Sequence, residues 1–135
     1  MPSKGQETRR KARERVEAEL RLQGYKVNSE KHPFIVALPG ENPFYVVVAG
    51  VTDNDCWPIR KRKPTDNLSY VLVRIDKYDN TRFFVMTQDE VNREIDIYCN
   101  TPKRDGTPRS KKEPGPGLTL KQAKPYENKW ETLPS

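Results

Sequence analysis

The chain has 135 residues, a formal net charge of +6 and only two cysteines. That length supports one domain with a single sheet and one or two helices, and a hydrophobic share of 33% with twelve prolines keeps the packed core small and its surroundings irregular. No run approaches the ~20 apolar residues of a membrane span, residues 1–15 lack the apolar stretch of a secretory signal, and Cys56 and Cys99 form neither a CxxC pair nor a zinc-spaced set with the single histidine. The expectation is a cytoplasmic protein with reduced thiols and no membrane partner. Its excess of positive charge favours a polyanion.

Residues 6–23 contain neither Pro nor Gly, and Ala12, Val16 and Leu20 recur at four-residue spacing, with Leu22 widening the stripe. This predicts a helix that Gly24 terminates. Its other face carries Lys4, Arg9, Arg10, Lys11, Arg13 and Arg15 against Glu7 and Glu14. Such a face is either solvated or in contact with phosphates; the crowding of positive charge into the first turns, where the helix dipole disfavours it, points to phosphates. Tyr25 to Val27 begin a strand, and residues 34–38 form a short one. Residues 39–43 make a turn, which sets residues 34–38 and 44–51 as an antiparallel hairpin. His32, ahead of Pro33, reads as a turn residue. Tyr45, Val46, Val47 and Val48 are the densest β-branched and aromatic run, as in a central strand covered on both faces. The end of such a strand is where small α/β domains place ligands and catalytic groups, yet Ala49 and Gly50 stand there.

Arg60, Lys61, Arg62 and Lys63 follow, closed by Pro64, as a basic loop at the sheet rim suited to phosphate. Trp57 beside it reads either as a base-stacking ring or as rim packing. Residues 70–75 form a second buried strand, Asp79 and Asn80 a turn, and residues 82–86 a third strand. Thr87, Gln88, Asp89 and Glu90 have the form of a capping box, opening a helix with Val91, Ile95 and Tyr98 on one side. Asp89, Glu90, Glu94 and Asp96 read as dipole partners and solvated positions rather than an acid/base pair. Residues 1–100 therefore read as one α/β domain. Residues 101–117 read as a basic flexible linker bearing Lys103, Arg104, Arg109, Lys111 and Lys112, and residues 118–135 as a tail docked by Leu118, Leu120, Tyr126, Trp130 and Leu133.

The helix ending LRLQGY, the strand pair, the W-x-x-R at Trp57 to Arg60, DNLSYVLVRID, RFFVMTQDEV and the closing YENKW together resemble the small bacterial PD-(D/E)XK nuclease-like proteins over residues 12–133. The resemblance implies a restriction-endonuclease-like α/β core: a central mixed sheet of four or five strands, a long N-terminal helix and a second helix after the last strand. It also implies an acidic residue at or beside Ile35, and an acidic residue or glutamine at Val47 followed by a lysine at Ala49. Carboxylates there would hold Mg²⁺ to clamp a scissile phosphate and activate water, while the lysine would orient that water. Here all three positions are apolar, so no metal or other cofactor is expected. On this resemblance Glu14 or Glu17 would match a helical glutamate of some members, a position that reads as solvated.

The expected function is that of a catalytically degenerate nuclease-like protein binding DNA or RNA through phosphates. Its site would comprise Arg9, Arg10, Lys11, Arg13, Arg60, Lys61, Arg62, Lys63, Lys103, Arg104, Arg109, Lys111 and Lys112, with Trp57 and Tyr70 to stack on bases. Two alternatives stand beside it. One is an interaction or structural module with a partner protein, either reading being compatible with a homodimer. The other is a metal-dependent nuclease rebuilt from Glu41, Asp53, Asp55 and Lys61, the only case that calls for Mg²⁺; Asp53 and Asp55 otherwise read as Asx-turn residues.

Overall fold

Ser3 starts the first helix, α1 (Lys4–Leu22), in a computed structural model that describes residues 3–28, 35–38, 43–102, 105–107 and 117–134. The Ser3 hydroxyl accepts from the Gln6 amide at 3.2 Å, and the Ser3 amide donates to Gln6 Oε1 at 3.1 Å. This reciprocal cap places the start two residues ahead of the expected residue 6, because the apolar stripe carries no cap information. Gly24, at φ +96°, ends the helix in the left-handed region.

Five strands form the main sheet in the order β1 (Lys26–Asn28), β2 (Ile35–Leu38), β3 (Phe44–Thr52), β5 (Leu68–Ile75), β6 (Thr81–Thr87). The pairs β1–β2, β2–β3 and β5–β6 are antiparallel, and β3–β5 is parallel. The run from Phe44 is thus the middle strand, as expected, and the expected hairpin with β2 is present. Phe34, His32 and the expected turn residues Pro39 to Asn42 lie outside the described residues. The parallel pair requires a crossover. Within it lies a strand unforeseen in the sequence, β4 (Cys56–Pro58), paired antiparallel with β7 (Gly117–Thr119) in a separate two-stranded sheet. Gly117 thus belongs to the folded unit and not to a linker. At φ +84°, with a Cβ there colliding with the Ile59 carbonyl oxygen, the position admits only glycine.

One face of the sheet presents Ile35, Ala37, Val46, Val71, Val73 and Val85 to Ala12, Val16 and Leu20 of α1. Gly50 permits this close seating, because a Cβ there would stand 2.5 Å from Ala12 Cβ. The opposite face packs Leu68, Tyr70, Leu72, Phe84 and Met86 against Trp57, Leu118 and the second helix, α2 (Gln88–Asn100), through Val91 and Ile95. The expected capping box opens α2: Thr87 Oγ1 accepts from the Glu90 amide at 3.1 Å and Glu90 Oε1 from the Thr87 amide at 2.9 Å.

After β7 the chain forms a short helix, α3 (Leu120–Ala123), then 3-10 turns at Lys124–Tyr126 and Trp130–Thr132. It follows the outer edge of β6, where the Asn128 amide donates to the Phe83 carbonyl at 2.9 Å. It ends on the α1 face, with Trp130 against Phe83, Leu133 buried, and Tyr25 Oη donating to the Pro134 carbonyl at 2.7 Å. The C-terminal segment docks back as expected and binds both faces. Among the described residues no helix is long and apolar enough to cross a membrane.

Candidate functional site

Strand alternation sorts the three positions at which nuclease chemistry was sought. Ile35 pairs with Val46, and both are buried beneath α1. Val47 and Ala49 point to the other face and are half-buried. Ile35 therefore does not share a face with them; its neighbour Val36, paired with Tyr45, does. All four residues are apolar, so no carboxylate enters this part of the sheet from β2 or β3.

Val47 and Ala49 instead form the wall of a groove of ≈ 300 Å³, completed by Pro58, Ile59, Arg60, Lys61, Arg62 and Tyr70. Ala49, Pro58 and Ile59 also line a wider cleft of ≈ 670 Å³ into which Lys4 and Arg9 of α1 project. The two depressions run together across the second half of β3.

The basic loop at the groove mouth is held by α2. Gln88, 6% exposed, accepts from the Thr65 amide at 2.7 Å and donates to the Lys63 carbonyl at 3.0 Å. Asn92 Nδ2 donates to the Arg62 carbonyl at 3.2 Å, and Asp96 pairs with Lys61 Nζ at 3.0 Å. Gln88, Asn92 and Asp96 are spaced by four, hence on one helical face. Two of these residues anchor loop backbone, and the Arg60 and Lys63 side chains are exposed. The four-residue spacing of polar residues beside Val91 and Ile95 is the sequence signal that marks this cradle.

Neither expected stacking residue is available to a base. Trp57 is 0% exposed, its Nε1 donating to the Val73 carbonyl at 3.1 Å and its ring set edge-on to Phe84. A ring inside the core offers no face to a nucleotide, so rim packing understates its role. Tyr70 is 1% exposed, and its hydroxyl has no hydrogen-bond partner although Gln88 and Arg62 lie beside it. Burial pushes its pKa above the ordinary tyrosine value, which keeps the phenol protonated at neutral pH.

The basic stripe of α1 divides. Lys4 and Arg9 line the cleft. Arg10 pairs with Glu14 at 2.9 Å, Lys11 with Asp79 at 3.9 Å, and Arg13 with Glu17 at 3.3 Å. Arg15 binds both oxygens of Asp79, at 2.8 and 2.9 Å, and holds that carboxyl below its usual range. Four of the six cations of the expected phosphate-contacting face are thus engaged within the protein, Glu14 and Glu17 with them. Lys103, Arg104, Arg109, Lys111 and Lys112 lie outside the described residues.

The described members of the rebuilt metal site are not brought together. Asp55 and Asp53 turn to Arg74, at 3.0 and 3.9 Å, Lys61 turns to Asp96, and Glu41 lies outside the described residues. Among the described residues no three His, Cys, Asp or Glu side chains are grouped to hold a metal ion.

The fold and site together define a mixed α/β domain with a basic-rimmed groove across its central strand. No protein-family model, curated protein or solved structure matches the chain.

Proposed function

We propose that this protein is a catalytically degenerate nuclease-like module, with a restriction-endonuclease-like core, that binds nucleic acid through phosphate contacts. The observation that carries the reading is the basic loop, clamped by Gln88 and Asn92 over the groove at Val47 and Ala49. A metal nuclease would need hard oxygen ligands on that wall. Here the wall is apolar and the rim is cationic, a combination suited to holding a polyanion and unsuited to cutting one. Lys4 and Arg9 extend the positive rim along the adjoining cleft.

The strand order gives further support. A long helix, an antiparallel pair, and a third strand parallel to the next accord with the resemblance of residues 12–133. Counterion release by the rim cations would make binding steeply salt-dependent and indifferent to sequence.

A salt titration of binding to a labelled duplex and a labelled single strand, with and without Mg²⁺, tests this. The expected result is binding without cleavage, with a log–log salt slope that falls by about one for each rim cation replaced by alanine. Cleavage that requires Mg²⁺ would overturn the degenerate assignment. Absence of binding at low salt would overturn the nucleic-acid assignment and leave a partner protein.

A further inference from the structure

We propose that the ≈ 300 Å³ groove is a subsite for a phosphomonoester, the phosphorylated end of a nucleic-acid strand, with Tyr70 Oη as the donor on its floor and Arg60 and Lys61 on its rim. The inference rests on the nucleic-acid reading above and adds the part of the strand that is recognised.

Every polar side chain lining the groove is a hydrogen-bond donor: Arg60, Lys61, Arg62 and Tyr70. Among the described residues no carboxylate lines it, and Asp96, which pairs with Lys61, is not part of the lining. The complement of such a set is a group with acceptors only and more than one negative charge, which describes a terminal phosphate dianion. An internal phosphodiester carries a single charge and is met from outside by long side chains, with no need of a cavity. The apolar wall of Val47, Ala49, Pro58 and Ile59 strips water from what enters and so strengthens each charged contact.

Tyr70 supplies the independent observation. Its hydroxyl is buried, protonated and unpartnered. Leaving such a donor unpaired is destabilising, a penalty that an acceptor entering the groove removes.

The test compares three labelled single strands of one sequence, ending in a 5′-phosphate, a 3′-phosphate or hydroxyls only, against the wild-type protein and Tyr70→Phe, with a free mononucleotide as a fourth ligand. One phosphorylated end is expected to bind about tenfold tighter than the hydroxyl-ended strand, the size of a hydrogen bond to a charged group. Tyr70→Phe should abolish that preference and keep or raise the melting temperature, because it deletes an unpaired donor without emptying the core. Equal affinity for all three ends would overturn the subsite and leave nucleic-acid binding standing. Preference retained in Tyr70→Phe would overturn the role of the hydroxyl. Mononucleotide binding without strand binding would keep the groove and remove the nucleic-acid reading; no binding of any ligand would remove both.

Discussion

The two faces of the sheet solve the same problem differently. Beneath α1, a single continuous helix meets valines, isoleucines and alanines, and the fit is close enough that Gly50 touches Ala12 with no room for a methyl group. On the other face, α2, the β4–β7 ribbon, α3 and the basic loop share the coverage, and the two buried side-chain atoms without a partner, Tyr70 Oη and Asn92 Oδ1, belong to residues on that side. The α1 face is covered mainly by one helix, with Trp130 and Leu133 of the C-terminal segment finishing it beside Phe83. The other face is covered in more pieces, and the seam between β3 and the loop is the groove.

The largest effect is expected where the pieced face is anchored. Trp57→Ala removes the one large side chain that joins β4 to the sheet, and should cost about 3–5 kcal/mol of stability, read as the shift of the urea midpoint. Loss of binding at unchanged stability would instead place the indole at a surface. The opposite face is probed by Gly50→Ala, which must lift α1 from β3; overpacking of this kind costs about 1–3 kcal/mol. Denaturation should then report a damaged fold while the groove, on the other side, retains its ligand preference at temperatures below the transition.

Gln88→Ala sharpens the contrast further. It frees the Thr65 amide and the Lys63 carbonyl together, at about 1–2 kcal/mol for the two hydrogen bonds. Amide exchange at Thr65 should accelerate, and the salt slope of nucleic-acid binding should flatten as the basic loop loses its fixed position. Unchanged exchange at Thr65 would show that the cradle does not order the loop.

The smallest effect concerns the edge between the faces. Arg82 binds Glu127 through two contacts of 2.9 Å and holds the Glu127 carboxyl below its ordinary value. A depressed folded-state value means stability that is complete above the ordinary glutamate pKa of about 4.3 and lost as pH falls through the lowered value. The pair is about one-third exposed, so solvent limits its contribution to ~1 kcal/mol or less. Glu127→Gln should lower the melting temperature slightly at neutral pH and converge with the wild type in acid; a constant difference at all pH values would rule out the ion pair as its source.

Much of this was legible from local chemistry. The capping box at Thr87, the four-residue stripe of α1 and the central position of β3 each depend on neighbours within a few residues, and each is present in the fold. The resemblance left the first-strand position at or beside Ile35, and alternation separates the two: Ile35 faces α1 and Val36 the opposite side. The β4–β7 ribbon was not legible: three-residue strands carry no period, and the partner of Trp57 is Leu118, far along the chain. The basic stripe of α1 was legible as charge but not as pairing, since Arg15 finds its carboxylate at Asp79, 64 residues away. The cradle of Gln88, Asn92 and Asp96 could be seen only as a polar spacing until its ligand, the loop backbone, was in place.

The C-terminal segment also sets the order in which the molecule can be finished. Asn128 closes the edge of β6 and Pro134 accepts from Tyr25, a residue 109 positions earlier. A chain emerging vectorially from a ribosome therefore holds a nearly complete sheet whose last strand still offers unpaired carbonyls to any other strand. The interval before residues 117–134 arrive is the interval of greatest exposure to wrong pairing, and its length is set by the speed of translation rather than by the strength of any contact in the finished fold.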